Sequence, residues 1–258
     1  MEYRFVLAGD PVAHSLSPRM HEAALDSAGL TGEYEAIRCD QNGFAALVGE
    51  VRSGSIQGMN VTMPHKGLAH DSCDRLTEQA AHSASVNTMK SEGSVLVGHS
   101  TDVVAFEKIL SELDLDRPVV LLGSGGSARA ALTALAALDG PPTLVWARSR
   151  DRVRELQDRF GDDVRPLTSA PHGAIVINCT PLGMHGESLP DGIAESPAAL
   201  IDLPYGPEET PAVSAGKAAG IAVVDGLQFL AMQAAASFTW WTGVDVEIDT
   251  MVRAARNA

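Results

Sequence analysis

At 258 residues, with 45% apolar and 20% charged residues, the chain has material for one large or two ordinary globular domains and shows no compositional sign of disorder. Nineteen Lys and Arg against 33 Asp and Glu leave a formal charge of −14, which argues against a nucleic-acid backbone or an anionic membrane as partner; an anionic ligand needs donors placed locally. The three cysteines, Cys39, Cys73 and Cys179, have no C-x-x-C spacing and suggest neither a disulfide framework nor a zinc site, so a reducing cytoplasm is the expected compartment.

The apolar run Phe5-Val6-Leu7-Ala8 stops at Gly9-Asp10-Pro11, too short for a signal-peptide core or a membrane span, and reads as the first strand, 3–8. A helix over 18–28, a strand over 34–38 and a helix over 43–53 continue a β-α-β-α alternation, which predicts a mostly parallel sheet. A strand over 56–61 ends at Pro64; residues 75–84 read as a helix, 94–97 as a short strand and 102–113 as a helix leading out of the region. At Arg117-Pro118 the pattern restarts with a strand at 119–122, a glycine-rich turn and an alanine-rich helix through 138. Strand 143–146, helix 151–160 and strands 174–178, 199–203 and 221–224 follow, then two closing helices over 227–242 and 247–255. The restart marks the domain boundary, since no linker or repeat does.

The turn Gly123-Ser124-Gly125-Gly126-Ser127 lies between an apolar strand and a helix, where small residues let backbone N–H groups approach a pyrophosphate at the helix N-terminus. Ala128 fills the third glycine position of G-x-G-x-x-G, so the same segment also reads as a tight β-α turn. After the next strand, where an NAD-binding domain places a ribose-binding carboxylate, the chain has Trp146-Ala147-Arg148-Ser149-Arg150-Asp151-Arg152. A guanidinium at Arg148 with the Ser149 hydroxyl suits a 2′-phosphate, and cations clustered at a helix start oppose its dipole unless an anion joins them. NADP is therefore favoured over NAD as cofactor.

Gly58-Met59-Asn60-Val61-Thr62-Met63-Pro64-His65-Lys66 runs from a strand into a turn, which puts polar side chains at the carboxyl end of a sheet, where open α/β sheets bind ligands. Gly98-His99-Ser100-Thr101-Asp102 likewise follows a strand and opens a helix. Taken singly, Lys66 is an ordinary surface lysine and Asp102 an ordinary helix cap. Together these segments resemble shikimate dehydrogenases, and the resemblance runs from Gly9 to Gly243. It is carried by Gly9-Asp10-Pro11-Val12-Ala13-His14-Ser15-Leu16-Ser17-Pro18, by Asn60-Val61-Thr62 with Pro64 and Lys66, and by Val86-Asn87-Thr88. Asn178-Cys179-Thr180-Pro181-Leu182-Gly183-Met184, Asp202-Leu203-Pro204-Tyr205-Gly206-Pro207 with Thr210, and finally Gly226 and Gln233 complete it.

The resemblance implies reversible oxidation of shikimate to 3-dehydroshikimate with NADP. It also implies that Ser15 and Ser17 hold the substrate carboxylate and that Thr62, Asn87, Tyr205 and Gln233 bind that end or the ring hydroxyls, with Asn60 in support. Glu78, Thr180, Leu203 and Gly226 carry over to the cofactor side. Loss of hydride from a carbinol requires a base for the hydroxyl proton, and Lys66 is that base. A neighbouring carboxylate favours the ammonium, so Asp102 is expected to orient Lys66 and share the proton rather than to activate it.

Four positions depart from the family's usual residues: Glu22, Ser100, Ala105 and Ala147. The histidines lack ligand spacing, so no metal is expected; His14 and His21 are expected to support the loop after the first strand. Trp240 and Trp241 are expected to fill core space. The expected architecture is α/β, with a mostly parallel substrate domain over 1–104, completed by 227–258, facing a Rossmann-type NADP domain over 105–226 across a cleft. A small-molecule substrate and a monomer or homodimer go with it. A quinate or aminoquinate-type dehydrogenase of the same family, or a catalytically silent NADP-binding regulator, are the alternatives.

Overall fold

The structure, a computed structural model, describes residues 2–193 and 196–256. The chain forms two compact units: residues up to Ala105 join those from Leu230 onward, and Phe106–Phe229 make the other.

The first unit begins with β1 (Tyr3–Gly9), α1 (Ser17–Ala28), β2 (Gly32–Arg38), α2 (Gln41–Ser53) and β3 (Gly58–Val61). Local chemistry sets the helix ends. Pro18 sits in the first turn of α1, and Gly29 closes it in the left-handed region at φ 65°. The Asp40 side chain accepts from the Gly43 N–H at the start of α2, and Gly54 closes that helix at φ 78°. Next come α3 (Lys66–Ser72), β4 (Arg75–Leu76), α4 (Glu78–Ser83), β5 (Thr88–Glu92), β6 (Val95–His99) and α5 (Thr101–Leu110). The six strands order as β2-β1-β3-β5-β6-β4, and only β5 runs against the others.

Here the structure corrects the expected elements. The helix predicted over 75–84 is a two-residue strand and a short helix, because Arg75 and Leu76 pair with Val97 and Gly98 of β6 and the Thr77 side chain caps α4 by accepting from Ala80 N–H. The strand predicted at 94–97 is the second arm of a hairpin that turns at Gly93, φ 67°. α3 escaped the sequence reading because its seven residues bury only Ala69 and so show no apolar period.

The second unit holds β7 (Val119–Leu122), α6 (Gly126–Ala137), β8 (Thr143–Trp146), α7 (Arg150–Phe160), β9 (Val164–Pro166), β10 (Ile175–Asn178), β11 (Ala199–Asp202), α8 (Pro211–Ala218) and β12 (Ala222–Val224). All pairs in its sheet are parallel, in the order β12-β11-β10-β7-β8-β9. Numbered from β7, that is the 3-2-1-4-5-6 order of dinucleotide-binding sheets. α9 (Gly226–Thr242) starts in this unit and ends in the first, and α10 (Ile248–Arg256) packs on α1. The buried strands β7 and β10 read as continuous apolar runs, as strands covered on both faces must. Among the described residues no helix is long and apolar enough to cross a membrane.

Candidate active site

The first sheet changes direction between β1 and β3, and the loops leaving those two strands meet there. The Thr62 N–H donates to Ala8 O at 2.9 Å and the Asp10 N–H to Met63 O at 2.9 Å. Gly9 is required at this crossing, since a Cβ on it would lie 2.3 Å from Thr62 Cγ2. Ser15 and Ser17 stand at the start of α1, where the Ser17 N–H donates to Ser15 Oγ at 3.2 Å and no side chain caps the helix. That leaves amide N–H groups and two hydroxyls at one helix N-terminus, a setting that suits a carboxylate. Glu22, one turn further along, is exposed.

Lys66 opens α3 directly after the β3 turn, and its Nζ donates to Asp102 Oδ2 at 2.5 Å. The Asp102 side chain is 5% exposed and that of Lys66 18%, so the carboxylate is the more enclosed of the two. The β5–β6 hairpin brings Asn87 to the same place: Thr88 is paired with His99, and the Asn87 N–H donates to His99 O at 3.2 Å. Asn87 Nδ2 donates to Asp102 Oδ1 at 2.9 Å, within reach also of Thr101 Oγ1 at 2.9 Å and Gln233 Oε1 at 3.2 Å. Its Oδ1 accepts from the Thr101 N–H at 2.7 Å.

Beneath this layer Asn60 Nδ2 donates to Asn87 O at 3.1 Å and to Ser237 Oγ at 2.9 Å, and the Tyr34 hydroxyl donates to Asn60 Oδ1 at 2.9 Å. His21 stacks on Tyr34 with ring centroids 4.2 Å apart and is fully buried. Burial pushes its imidazole down from 6.5 to about 3, with Asn60 opposing in part, so it is neutral at any working pH. The His99 imidazole, which shares a hydrogen bond with Thr77 Oγ1, goes down to about 4 through burial and then through the charge of Lys90. Trp241 stacks on Phe5 at 4.8 Å and on the face of Gly58, while Trp240 lies against His99 and under the Lys90 ammonium.

In the second unit the switch between β7 and β10 carries the glycine loop. Gly123 has φ 117° and lies against Cys179, so a side chain there would be strained and crowded. Gly125 caps α6 with no side-chain bond and open space where a Cβ would be. The start of a twelve-residue helix with no side-chain cap, beside a bare glycine surface, fits a pyrophosphate. Ser124 and Ser127 are half-buried there, and Arg148 and Ser149 are exposed at the end of β8, with the Ser149 hydroxyl making no cap bond to α7. Arg152 pairs with Glu155 at 2.7 Å. Arg129 on α6, a position the sequence reading did not single out, has its guanidinium shifted down by burial and then by Arg159 and Arg152, so three cations share this region.

Other predicted positions turn out to have structural duties. Thr180 Oγ1 donates to Asn178 Oδ1 at 2.6 Å and accepts from the Leu182 N–H, shaping the turn after β10. Gly226 is pressed against the backbone of Leu203 and Pro204, where a Cβ would come within 2.5 Å of two carbonyl oxygens. Glu78 belongs to the first unit, exposed in the first turn of α4, whereas the other cofactor candidates belong to the second. Tyr205 lies in the second unit and every other substrate candidate in the first. The sequence reading missed Tyr34, Thr101 and Ser237; Ser237 follows Gln233 by four residues on one helix, so helical spacing alone places the two on one face.

Two open α/β sheets, one with a lysine–carboxylate pair at its strand ends and one with a nucleotide-type glycine loop at its switch point, define the nucleotide-dependent class of α/β enzymes. Comparison with known proteins gives the family. A family model for the shikimate dehydrogenase substrate-binding domain matches residues 7–89, and one for the shikimate 5′-dehydrogenase C-terminal domain matches residues 226–256. The NADP(+) shikimate dehydrogenase of Bacillus licheniformis is 36% identical over 95% of this chain and 93% of its own. That of Thermus thermophilus is 36% identical over 99% and 98%. The Thermus thermophilus shikimate 5-dehydrogenase crystallised with NADP(H) and shikimate superposes with a TM-score of 0.86 at 34% identity, covering 99% of each chain. This chain belongs to the shikimate dehydrogenase family.

Proposed function

We propose that the chain is an NADP-dependent shikimate dehydrogenase, an oxidoreductase that converts the shikimate carbinol reversibly to the ketone of 3-dehydroshikimate. The observation that carries the reading is the Lys66 Nζ to Asp102 contact, with Asn87 fixing the second carboxylate oxygen, at the carboxyl ends of one sheet. The relatives named for this activity, and the relative crystallised with both ligands, support it.

NADP, when bound, would supply the acceptor for the hydride that leaves the carbinol carbon. This chain's residues handle the proton that leaves with it. Lys66 in its amine form takes the hydroxyl proton as the C–H bond breaks, and its ammonium returns that proton in the reverse direction. Asp102, held by Asn87, orients Lys66 and shares the proton. Ser15 and Ser17 hold the substrate carboxylate, and Thr62, Asn87, Gln233 and Tyr205 meet that end or the ring hydroxyls, with Asn60 behind them. Each unpaired buried polar group on such a substrate would cost about 1–3 kcal/mol, which is why so many neutral donors and acceptors gather here.

The loop Gly123, Ser124, Gly125, Gly126 and Ser127 takes the pyrophosphate, and Arg148, Ser149 and Arg152 take the 2′-phosphate. Thr180, Leu203 and Gly226 shape the same side, with Glu78 a weaker contributor. On this reading 1–104 with 227–258 is the substrate and catalytic domain and 105–226 the NADP domain. The three free cysteines suit a cytoplasmic enzyme, working as a monomer or homodimer on a small-molecule substrate.

A spectrophotometric panel of shikimate, quinate and aminoshikimate, each with NADP and with NAD, tests the assignment. Shikimate with NADP should give the highest kcat/KM. Faster turnover of quinate or aminoshikimate would reassign the substrate within the family, and no turnover with any pair would make the chain an NADP-binding regulator.

A further inference from the structure

Ser237 lies on α9, fully buried, behind the Lys66–Asp102 pair. Its hydroxyl makes three contacts: with Gln233 O at 3.0 Å, Asn60 Nδ2 at 2.9 Å and Thr101 Oγ1 at 3.0 Å. A hydroxyl has one proton, and a carbonyl oxygen can only accept. The one assignment in which all three contacts are hydrogen bonds has Ser237 donating to Gln233 O and accepting from both Asn60 and Thr101.

That assignment commits the Thr101 proton. Thr101 Oγ1 lies between the two ends of the Asn87 carboxamide, 2.9 Å from Nδ2 and 3.2 Å from Oδ1. Its single proton has two acceptors in reach, Ser237 Oγ at 3.0 Å and Asn87 Oδ1 at 3.2 Å; turned to the nearer, Ser237, it presents lone pairs to Asn87 and accepts from Nδ2. The same Nδ2 group sends its other hydrogen to Asp102 Oδ1, while Asn87 Oδ1 takes the Thr101 N–H. The neighbouring Ser100 contributes no such anchor, since its buried Oγ has no hydrogen-bond partner.

We propose that Ser237 is a positioning residue: by fixing the direction of the Thr101 hydroxyl it locks the Asn87 carboxamide and, through it, the Asp102 carboxylate that faces Lys66. The inference rests on the reading of Lys66 and Asp102 as the proton-handling pair. Ser237 is enclosed behind Asn60, Thr101 and Gln233, so its effect passes through Thr101 and Asn87. Loosening the carboxylate misaligns a group used as the proton moves, and its signature belongs in kcat rather than KM.

The test is steady-state kinetics with shikimate and NADP for Ser237→Ala, Thr101→Val, the double variant and Asp102→Asn, each checked for native near-ultraviolet circular dichroism. Ser237→Ala should lower kcat about tenfold with KM for shikimate changed less than about threefold. Thr101→Val should lose at least as much, and the double variant no more than Thr101→Val alone, because both act through one hydroxyl. A folded Ser237→Ala enzyme with wild-type kcat, or losses that multiply in the double variant, would overturn the proposal. If Ser237→Ala does not fold, Thr101→Val decides: a kcat loss at steady KM supports the relay and no loss refutes it. Near-normal turnover by Asp102→Asn would overturn the reading of the pair and this inference with it. An inactive Asp102→Asn beside a normal Ser237→Ala overturns the inference alone.

Discussion

Asp102 and Asp202 are both buried aspartates at the carboxyl ends of parallel strands, one in each unit, and they are held in opposite ways. Asp202 ends β11 and is satisfied by neutral donors: Asn178 Nδ2 donates to Oδ1 at 2.7 Å, and the Thr210 hydroxyl donates to Oδ2. Burial raises its pKa. Asn178 Nδ2 also reaches Leu182 O at 3.0 Å and Thr210 caps α8, so this carboxylate ties two loops and a helix together. Asp102 gives one oxygen to a carboxamide and the other to an ammonium. Asp202 is held by a carboxamide and a hydroxyl that fix a turn and a helix, whereas Asp102 is shared between a carboxamide and an ammonium, the arrangement the proposed mechanism uses.

The largest expected effect lies on the first side of that contrast. Lys66→Ala should lower kcat by about 10²–10⁴ with little change in KM, measured by steady-state turnover of shikimate. Retained turnover would strip the pair of its role and leave Asp102 as scaffold too.

Acid should separate the units next. The His21 imidazole stands at about 3 in the fold against 6.5 in the free state, so the stability it confers is present above pH 6.5 and lost as pH falls toward 3. That amounts to a few kcal/mol, on the order of 1.4 per pKa unit, and His99, at about 4, adds in the same direction. Asp202 has the opposite sign: with its pKa raised in the fold, its contribution is present at low pH and lost as pH rises through the folded value. Hydrogen exchange followed from pH 7 to pH 5 should therefore show amides of the first unit losing protection before those of the second. The reverse order would mean that groups other than these govern acid stability.

The smallest effect belongs to Asp202→Asn. It removes a buried charge while keeping an acceptor, so kcat should stay within about twofold and the melting temperature should move by a few degrees at most. A large loss of kcat in a well-folded protein would erase the distinction between the two aspartates.

Much of this was legible in the sequence. The uninterrupted apolar run 119–122 locates β7 to the residue, because a strand buried on both faces carries no other signal, and 143–146 locates β8, whose burial alternates. Lys66 and Asp102 were singled out by their positions after strands together with the ordered motifs around them, and Asn60 and Asn87 by the family resemblance alone. Short elements were not: β4 exists only because β6 offers a partner, a tertiary cause with no local trace. Ser237, Thr101 and Tyr34 were likewise hidden, since a hydroxyl that bridges residues 60, 101 and 237 is defined by contacts far apart along the chain. The arginines after β8 were visible as a cluster, while the burial of Arg129 beside them depends on how α6 meets α7.

Gly58 and Trp241 bear on the order in which the first unit can be assembled. The indole of Trp241 lies where a side chain at 58 would be, and it stacks on Phe5, so β1 and β3 take part of their cover from α9, far along the chain. The second unit is one continuous segment, Phe106–Phe229, whereas the first is assembled from two segments on either side of it. Synthesis in order thus favours a half-built molecule in which the nucleotide-type sheet is already complete while β1 and β3 still lack part of their cover. That interval is when the first unit is most exposed to misassociation, and it ends only when α9 leaves the exit tunnel.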